Sequence, residues 1–508
     1  MRALPVLFMV ALSGCASLEP PADARLASPS PPVRACAEWF RALDGEVDAA
    51  GVRDAQYTPV QGFPYLRVDR FFASLRGRAA ENESALHAFA ERLLELDLEA
   101  RQQEIENLPR ASAERLPGMS AEFSRRAALR RTAECARLLR ELDLAAPAQR
   151  SALLARASVP DDYSIVLRAL GLYPLTRIVF AQGVRRWEDS TRAAFHGESR
   201  GGSRGQSPAP AGVSVRFGPP ALATASRDTV AGMLARAEFD PLGQPLFSDR
   251  ELDLLAATYA PSFEIAVSDD YDRFGELRWR RGRAVPEVEA AEPAVYVRRA
   301  YARYGERVLL QLVYTLWFPE RPAEGAFDLL AGRLDGIVWR VTLGPDGEPL
   351  VYDSIHPCGC YHQFFPTPRA TPRPAPDALE EWAFVPQQLP RLADGERPVV
   401  RIASGTHYIE AVGVTRGPDS LARYAFRPYD ELRSLPSMEG RQRSAFGPQG
   451  LIAGTERLER FLFWPMGIAS AGAMRQWGRH ATAFVGRRHF DDADLIERRF
   501  ELHLAEAH

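Results

Sequence analysis

Lysine is absent from all 508 residues, so every one of the 63 basic side chains is arginine. With abundant Ala, Gly and Pro, that is the composition of a GC-rich genome and not a functional device. Excess positive charge is also missing. A net charge of −3 excludes the basic footprint of a nucleic-acid binder. No apolar run reaches the length of a finished membrane span. The longest, "FLFWPMGIASAGAM" from Phe461 to Met474, is interrupted by Pro465 and reads as buried core. There is no H-E-x-x-H and no phosphate loop, which removes two common enzyme signatures. Hydrophobic residues at 46% and charged residues at 25% are ordinary for a globular protein, and the length predicts two domains. Cysteine and histidine are scarce, at five and nine. Two of each nevertheless stand at alternate positions in "HPCGCYH": His356, Cys358, Cys360 and His362.

The N-terminus reads "MRALPVLFMVALSGCASLEP". Arg2 precedes an apolar stretch, Ala3 to Leu12, that is too short to cross a bilayer and right for a signal peptide. Leu12-Ser13-Gly14-Cys15 resembles a lipobox. The resemblance implies cleavage before Cys15 and lipid on that residue, and several acyl chains anchor stably where one would be marginal. It also implies, through Ala16 in place of Asp, the outer membrane, with the chain facing the periplasm. Palmitate-type acylation at Cys15 makes the membrane the expected partner.

The expected organisation is a signal peptide over 1–14, a Pro/Ala/Ser-rich tether over 15–33, and a helical domain over 34–195. A Gly/Ser/Pro linker over 196–212 then leads to a mainly β domain over 213–508. The fold class is α+β. "ALHAFAERLLELDLEA" puts Leu86, Phe89, Ala90, Leu93, Leu94 and Leu98 on one helical face. The next helix does the same with Phe123, Leu129, Cys135, Leu138, Leu139 and Leu142, and Ser120 is its predicted N-cap. A third pattern, "YSIVLRALGLYPLTRIVFAQGVRRW", breaks at Pro174.

Past residue 213 the period shortens. Ser248-x-x-Glu251 is a capping box. "SFEIAVS", "AVYVRRAYARY", "RVLLQLVYTLWF", "GIVWRVTL", "LVYDSI", "PVVRIAS" and "ATAFVG" read as strands of a largely antiparallel, sandwich-like sheet with helices on its margins. A turn at Gly344–Gly347 pairs Asp335 with His356, or with Pro357 or Cys358 after a one-residue slip. The tail predicts an amphipathic helix from Asp491, with His480 and His489 at the surface.

Cys36 and Cys135 sit on predicted helices, and an oxidising compartment favours a disulfide between them. Four readings of the Cys–His segment stand open. One is a divalent transition metal such as zinc on His356, Cys358, Cys360 and His362, with Asp335 or His407 added. A straight strand would hold the two histidines about 20 Å apart, so one ion requires a bend at Pro357 or Gly359. The second is a Cys358–Cys360 disulfide, strained and therefore labile. The others are a catalytic thiolate paired with a histidine, and packed thiols with hydrogen-bonded histidines.

"LVYTLWFPERP", "GRLDGIVWRVTL" and "RPVVRIASGTHYIEA", in that order, resemble the β-sandwich of necrosis-inducing toxin-like and vacuolar-sorting-62-like proteins. Asp335 matches the motif aspartate and His407 the later histidine. Leu334 and Gly336–Ile337 depart from the motif's histidine and Trp-Glu pair. The resemblance spans about a fifth of the chain and implies a sandwich with a cation-capable cleft, not an activity. The order of Cys and then His resembles envelope cysteine peptidases too, but those need a helix after the thiol, and prolines follow here. The resulting expectation is an outer-membrane lipoprotein with a binding or structural role. The alternative is a metal- or thiol-dependent hydrolase using Asp335, Cys358, Cys360 and His407.

Overall fold

The computed structural model describes residues 21–119, 124–197, 213–325, 327–377, 379–416, 422–438 and 440–504. Cys15 with its lipobox, Ser120, Phe123 and most of the 196–212 linker lie outside them.

The chain begins with helices α1 (Pro21–Leu26), α2 (Pro31–Ala50), α3 (Glu83–Asn107), α4 (Arg125–Ala145) and α5 (Pro147–Arg156). Residues 21–26 and 31–33, expected in the tether, are therefore helical. Arg25 explains why: it is buried, pairs with Asp143 and donates to Gly62 O at 3.0 Å. The stripe of Leu86, Phe89, Ala90, Leu93 and Leu94 is buried, packs against α4, and from Phe89 on shares one core with residues of α2. Asn82 caps α3 by accepting from Ala85 N, and Ser124, not Ser120, caps α4. On α4, Cys135 and Leu139 are buried while Leu142 is exposed. The Cys36–Cys135 disulfide ties α2 to α4 across 99 residues.

Helices α6 (Ile165–Leu170) and α7 (Tyr173–Phe195) were expected to belong with this bundle. None of their residues enters its core. Instead Phe180 packs on Phe463 and Phe484, Trp187 on Tyr361 and Phe384, and Phe195 on Phe365. The packing boundary therefore falls before α6. Aromatic side chains on one face of α7 match the β region and not the helices that precede them.

That region holds β1 (Val213–Gly218), helix α8 (Asp249–Thr258), β2 (Ser262–Val267), β3 (Ala294–Tyr304), β4 (Arg307–Arg321), β5 (Gly332–Leu343), β6 (Pro349–Ile355), β7 (Gln363–Pro366), β8 (Glu396–Ile402), β9 (Ile409–Arg416), β10 (Ala422–Arg423) and β11 (Ala425–Pro428). A six-stranded sheet has the order β7-β6-β5-β4-β3-β11, and a five-stranded sheet β9-β8-β2-β1-β10. Most neighbours are antiparallel, with β8 parallel to β2. The protein is thus a mixed α+β fold. The capping box at Ser248 and Glu251 forms as expected.

Strand β4 shows why its sequence is apolar throughout. Leu310, Leu312, Tyr314, Leu316 and Phe318 face the core shared with the five-stranded sheet. Val313 and Trp317 face a second core on the other side. A strand covered on both faces carries no polar alternation. "ATAFVG" forms no strand; Phe484 N and Val485 N donate instead to Glu381 Oε1. The tail has only a five-residue helix, Leu495–Arg499, because Phe500–Leu502 pairs as a strand with Ala370–Pro372. His480 and His489 are buried, not at the surface.

Candidate functional site

The β5–β6 hairpin brings the first pieces together. Gly347, at φ 76°, donates to Gly344 O at 2.9 Å and closes the expected turn. A bulge at Thr342–Leu343 then shifts the register, so that Leu343 faces Pro349 and Val338 faces Ile355. Asp335 lies beyond the last paired residues, and His356 reaches it diagonally: His356 Nδ1–H donates to Asp335 Oδ1 at 3.0 Å. From the loop between β8 and β9, His407 Nδ1–H donates to the other oxygen at 3.0 Å. Arg457 Nη2 stands 3.3 Å from Oδ1. His407 Nε2 lies 3.4 Å from Asp272 Oδ1, an ion-pair distance without hydrogen-bond alignment. Phe318 stacks on the His407 ring at 3.9 Å.

Burial alone would raise the Asp335 carboxyl, but His356 and Arg457 hold it well below the usual range. Burial opposes charge on His407, yet Asp272 and Asp335 outweigh it and raise that ring. His356 goes the other way: burial lowers it despite Asp335. The fold thus favours the charged form of His407, between two carboxylates, and the neutral form of His356. All four groups are buried.

Beyond His356 the backbone turns sharply. Gly359 N donates to His356 O at 2.8 Å and His356 N to Cys360 O at 3.0 Å. Gly359 has φ 92°, and a Cβ there would stand 2.4 Å from Ala481 O, so only glycine fits. Five non-glycine residues have positive φ among the described residues; Leu334, Tyr361 and His407 are three of them and all flank this cluster. Backbone strain of this kind gathers at functional sites.

The turn separates the two histidines. His362 Nε2–H donates to Asp353 Oδ2 at 2.9 Å, and Asp353 also accepts from Arg340 at 2.9 and 2.5 Å. Burial pushes His362 down to about 3. The ring is therefore neutral with its proton on Nε2, and Nδ1 is a bare acceptor. That atom is buried and has no protein partner.

These commitments leave the zinc reading without support. His356 is spent on Asp335 and His362 on Asp353. Among the described residues no group of three or more His, Cys, Asp or Glu is placed to hold a metal ion. Asp335, His356 and His407 do meet; His362 is not with them. Cys358 and Cys360 form no disulfide with each other: both are free, and their side chains hydrogen-bond to one another. That bond favours the thiolate at Cys358 and pushes the Cys360 thiol up. No helix follows either cysteine; the chain passes into β7.

Both thiols, with Tyr361 and His362, line a cavity of 990 Å³ under α7. Val179, Phe180, Val184 and Trp187 of that helix form its roof, and Phe384, Leu462 and Phe463 form much of the rest. Asp335, His356 and His407 are not on its wall; Tyr361 and Tyr408, which pack on the His356 ring, stand between. Three carboxyls, Glu188, Glu381 and Glu459, complete the lining. Burial pushes Glu459 up to about 7 against Arg457 and Arg321, and Glu381 up to about 7 against Arg488. A larger cavity, 1140 Å³, is lined by charges such as Arg92, Glu99 and Asp253 and holds no thiol or histidine.

Asp272, Asp353, Arg457 and Glu459 were not foreseen. Asp353 had a signal, an acid inside the apolar strand "LVYDSI". The others sit in loops with no periodicity to mark them. The chain matches no protein-family model, no curated protein and no solved structure.

Proposed function

We propose that this chain is an envelope lipoprotein, anchored to the outer membrane through Cys15 and facing the periplasm, that binds an apolar molecule. The cavity under α7 carries the reading. Its 990 Å³ is at the upper end of ordinary ligand pockets. Its walls are mostly aliphatic and aromatic, with Arg186, Arg488 and the three carboxyls among the polar groups. Asp335, His356 and His407 then act as buried scaffolding that fixes the strained loops around the wall.

Titration with an apolar fluorophore such as N-phenyl-1-naphthylamine tests this, followed by displacement with long-chain alcohols. Gly183 lines the cavity on α7, and a Cβ there meets nothing within 4 Å. Gly183→Trp is expected to fill the space and abolish uptake in a folded protein. Equal uptake by that variant would remove the cavity from the account.

One observation favours a second reading, thiol chemistry: the paired free thiols on the wall. The Cys358 thiolate would attack a small disulfide, releasing one thiol. Cys360 would then displace the second and leave a Cys358–Cys360 bond. With oxidised glutathione, wild-type protein should lose both free thiols together, and Cys360→Ala should stop at a stable mixed disulfide. Persistence of two free thiols would end this reading.

A further inference from the structure

Helix α7 is apolar on both sides. Phe180, Val184 and Trp187 face the cavity, yet Leu175, Ile178 and Val179 on the outer face are between 45% and 70% exposed. Their i, i+3, i+4 spacing makes them one stripe. Ile165, Val166 and Leu170 of α6 are exposed beside them. The turn at 460–466 continues the surface with Phe461, Leu462 and Trp464. It is fixed to α6: Ser164 N donates to Gly467 O, Arg168 Nε to Met466 O, and Gly171 lies against Pro465. Scattered exposed leucines mean nothing, but a contiguous patch of this size marks an interaction surface.

Three observations select a lipid bilayer as the occupant. Residues 165–187 contain Arg168, Arg177, Arg185 and Arg186 and no acidic residue, in a chain whose net charge is −3. That is the charge pattern of a helix lying at an anionic interface. The patch also runs into the cavity, since Val179 and Leu462 belong to both. Lastly, six residues lead from Cys15 to Pro21, a reach of about 20 Å when extended. Arg25, near that end, holds Gly62; the adjacent Gln61 O lies 3.5 Å from Arg156 Nη1, at the end of α5, from which a short segment leads to α6. A lipid on Cys15 would hold this side of the molecule close to the membrane.

We propose that α6, the outer face of α7 and the 460–466 turn form a membrane-docking face that opens the cavity directly to the bilayer. An apolar molecule could then pass between membrane and cavity without crossing water. The route rests on the ligand-cavity reading; the docking itself does not.

The test is flotation of the mature chain carrying Cys15→Ser, so that no lipid contributes, with phosphatidylcholine vesicles with and without phosphatidylglycerol. Wild type should float, more strongly with the anionic lipid. Leu175→Glu and Val166→Glu, at exposed positions off the cavity wall, should each lower binding on the order of tenfold or more, the factor expected for one buried aliphatic side chain. Their uptake of the fluorophore from solution should persist, which separates failure of docking from failure of the cavity. Wild type that stays at the bottom of the gradient, or glutamate variants that float equally, would overturn the proposal. A concentration-dependent dimer that Leu175→Glu dissolves, without vesicle binding, would also overturn it and assign the face to a second copy of the chain.

Discussion

Asp335 at the start of β5 accepts a hydrogen bond from His407 Nδ1 at 3.0 Å, across 72 residues of sequence, and both side chains are fully buried. This contact joins the two sheets behind Tyr361 and Tyr408, which stand between it and the cavity. Asp335→Ala would leave a charged His407 with only Asp272 beside it. Removing one partner of a buried pair costs about 3–5 kcal/mol. Urea unfolding should show that loss as a lower midpoint with unchanged slope. The pH window follows from the shifts. Asp335 is lowered in the fold, so its contribution is present above the unfolded carboxylate value and lost as pH falls through the lower folded one. His407 is raised, so its contribution is complete below about 6.5 and lost as pH rises through the higher folded value. The pair stabilises most in mildly acidic solution.

His362 should contribute to acid unfolding beside His480, whose ring burial also pushes down to about 3. The folded value of His362, about 3, lies below the unfolded value, so the unfolded chain binds the proton first. Stability should fall by about 1.4 kcal/mol per pH unit from roughly 6.5 down to the folded value. His362→Gln keeps a donor for Asp353 and cannot titrate. A stability–pH curve for that variant should be flatter over the same range, and an unchanged acid limb would assign the effect elsewhere.

What was legible in the chain was periodicity. The stripes of α3 and the runs of β3 to β6 and β8 announced their elements because each needs only local spacing. The alternate positions of His356, Cys358, Cys360 and His362 were legible too, but not their fates. Those depend on Gly359, whose positive φ and contact with Ala481 turn the chain, and on Asp353, which sits on a neighbouring strand. The tether was misjudged because Pro at the first turn of a helix reads, in composition, like Pro in a linker. The placement of α7 was missed because periodicity reports an apolar stripe and not which core receives it.

The Cys36–Cys135 bridge closes a loop of 99 residues between α2 and α4. In the chain-entropy account a loop of that length contributes about 3–5 kcal/mol through the unfolded state. Cys36→Ala with Cys135→Ala should lower the thermal midpoint of the helical region. The apolar packing of Trp39, Phe40 and Leu139 around the site should keep it folded at low temperature. Circular dichroism melts with and without reductant would measure this: reductant should lower the wild-type midpoint toward that of the double variant and leave the variant unmoved.

Glu459 should make ligand affinity depend on pH. Its carboxyl is buried, stands at about 7 and lines the cavity. An apolar occupant removes still more water from it and favours the protonated form. Binding of the fluorophore should therefore be tight below pH 7 and weaken progressively above it. Each pH unit above that value should cost up to tenfold, until the charged form alone sets the affinity. Glu459→Gln is isosteric and uncharged, so its affinity should stay flat across pH 6 to 8 at the level wild type reaches in acid. Glu381 also stands at about 7, but it accepts from Phe484 N and Val485 N and faces Arg488. An occupant therefore adds less to its desolvation, and Glu381→Gln should leave most of the pH dependence in place. If instead Glu459→Gln kept the slope and Glu381→Gln removed it, the titrating wall of the cavity would be the one beside Arg488, and the polar end of the ligand would lie there.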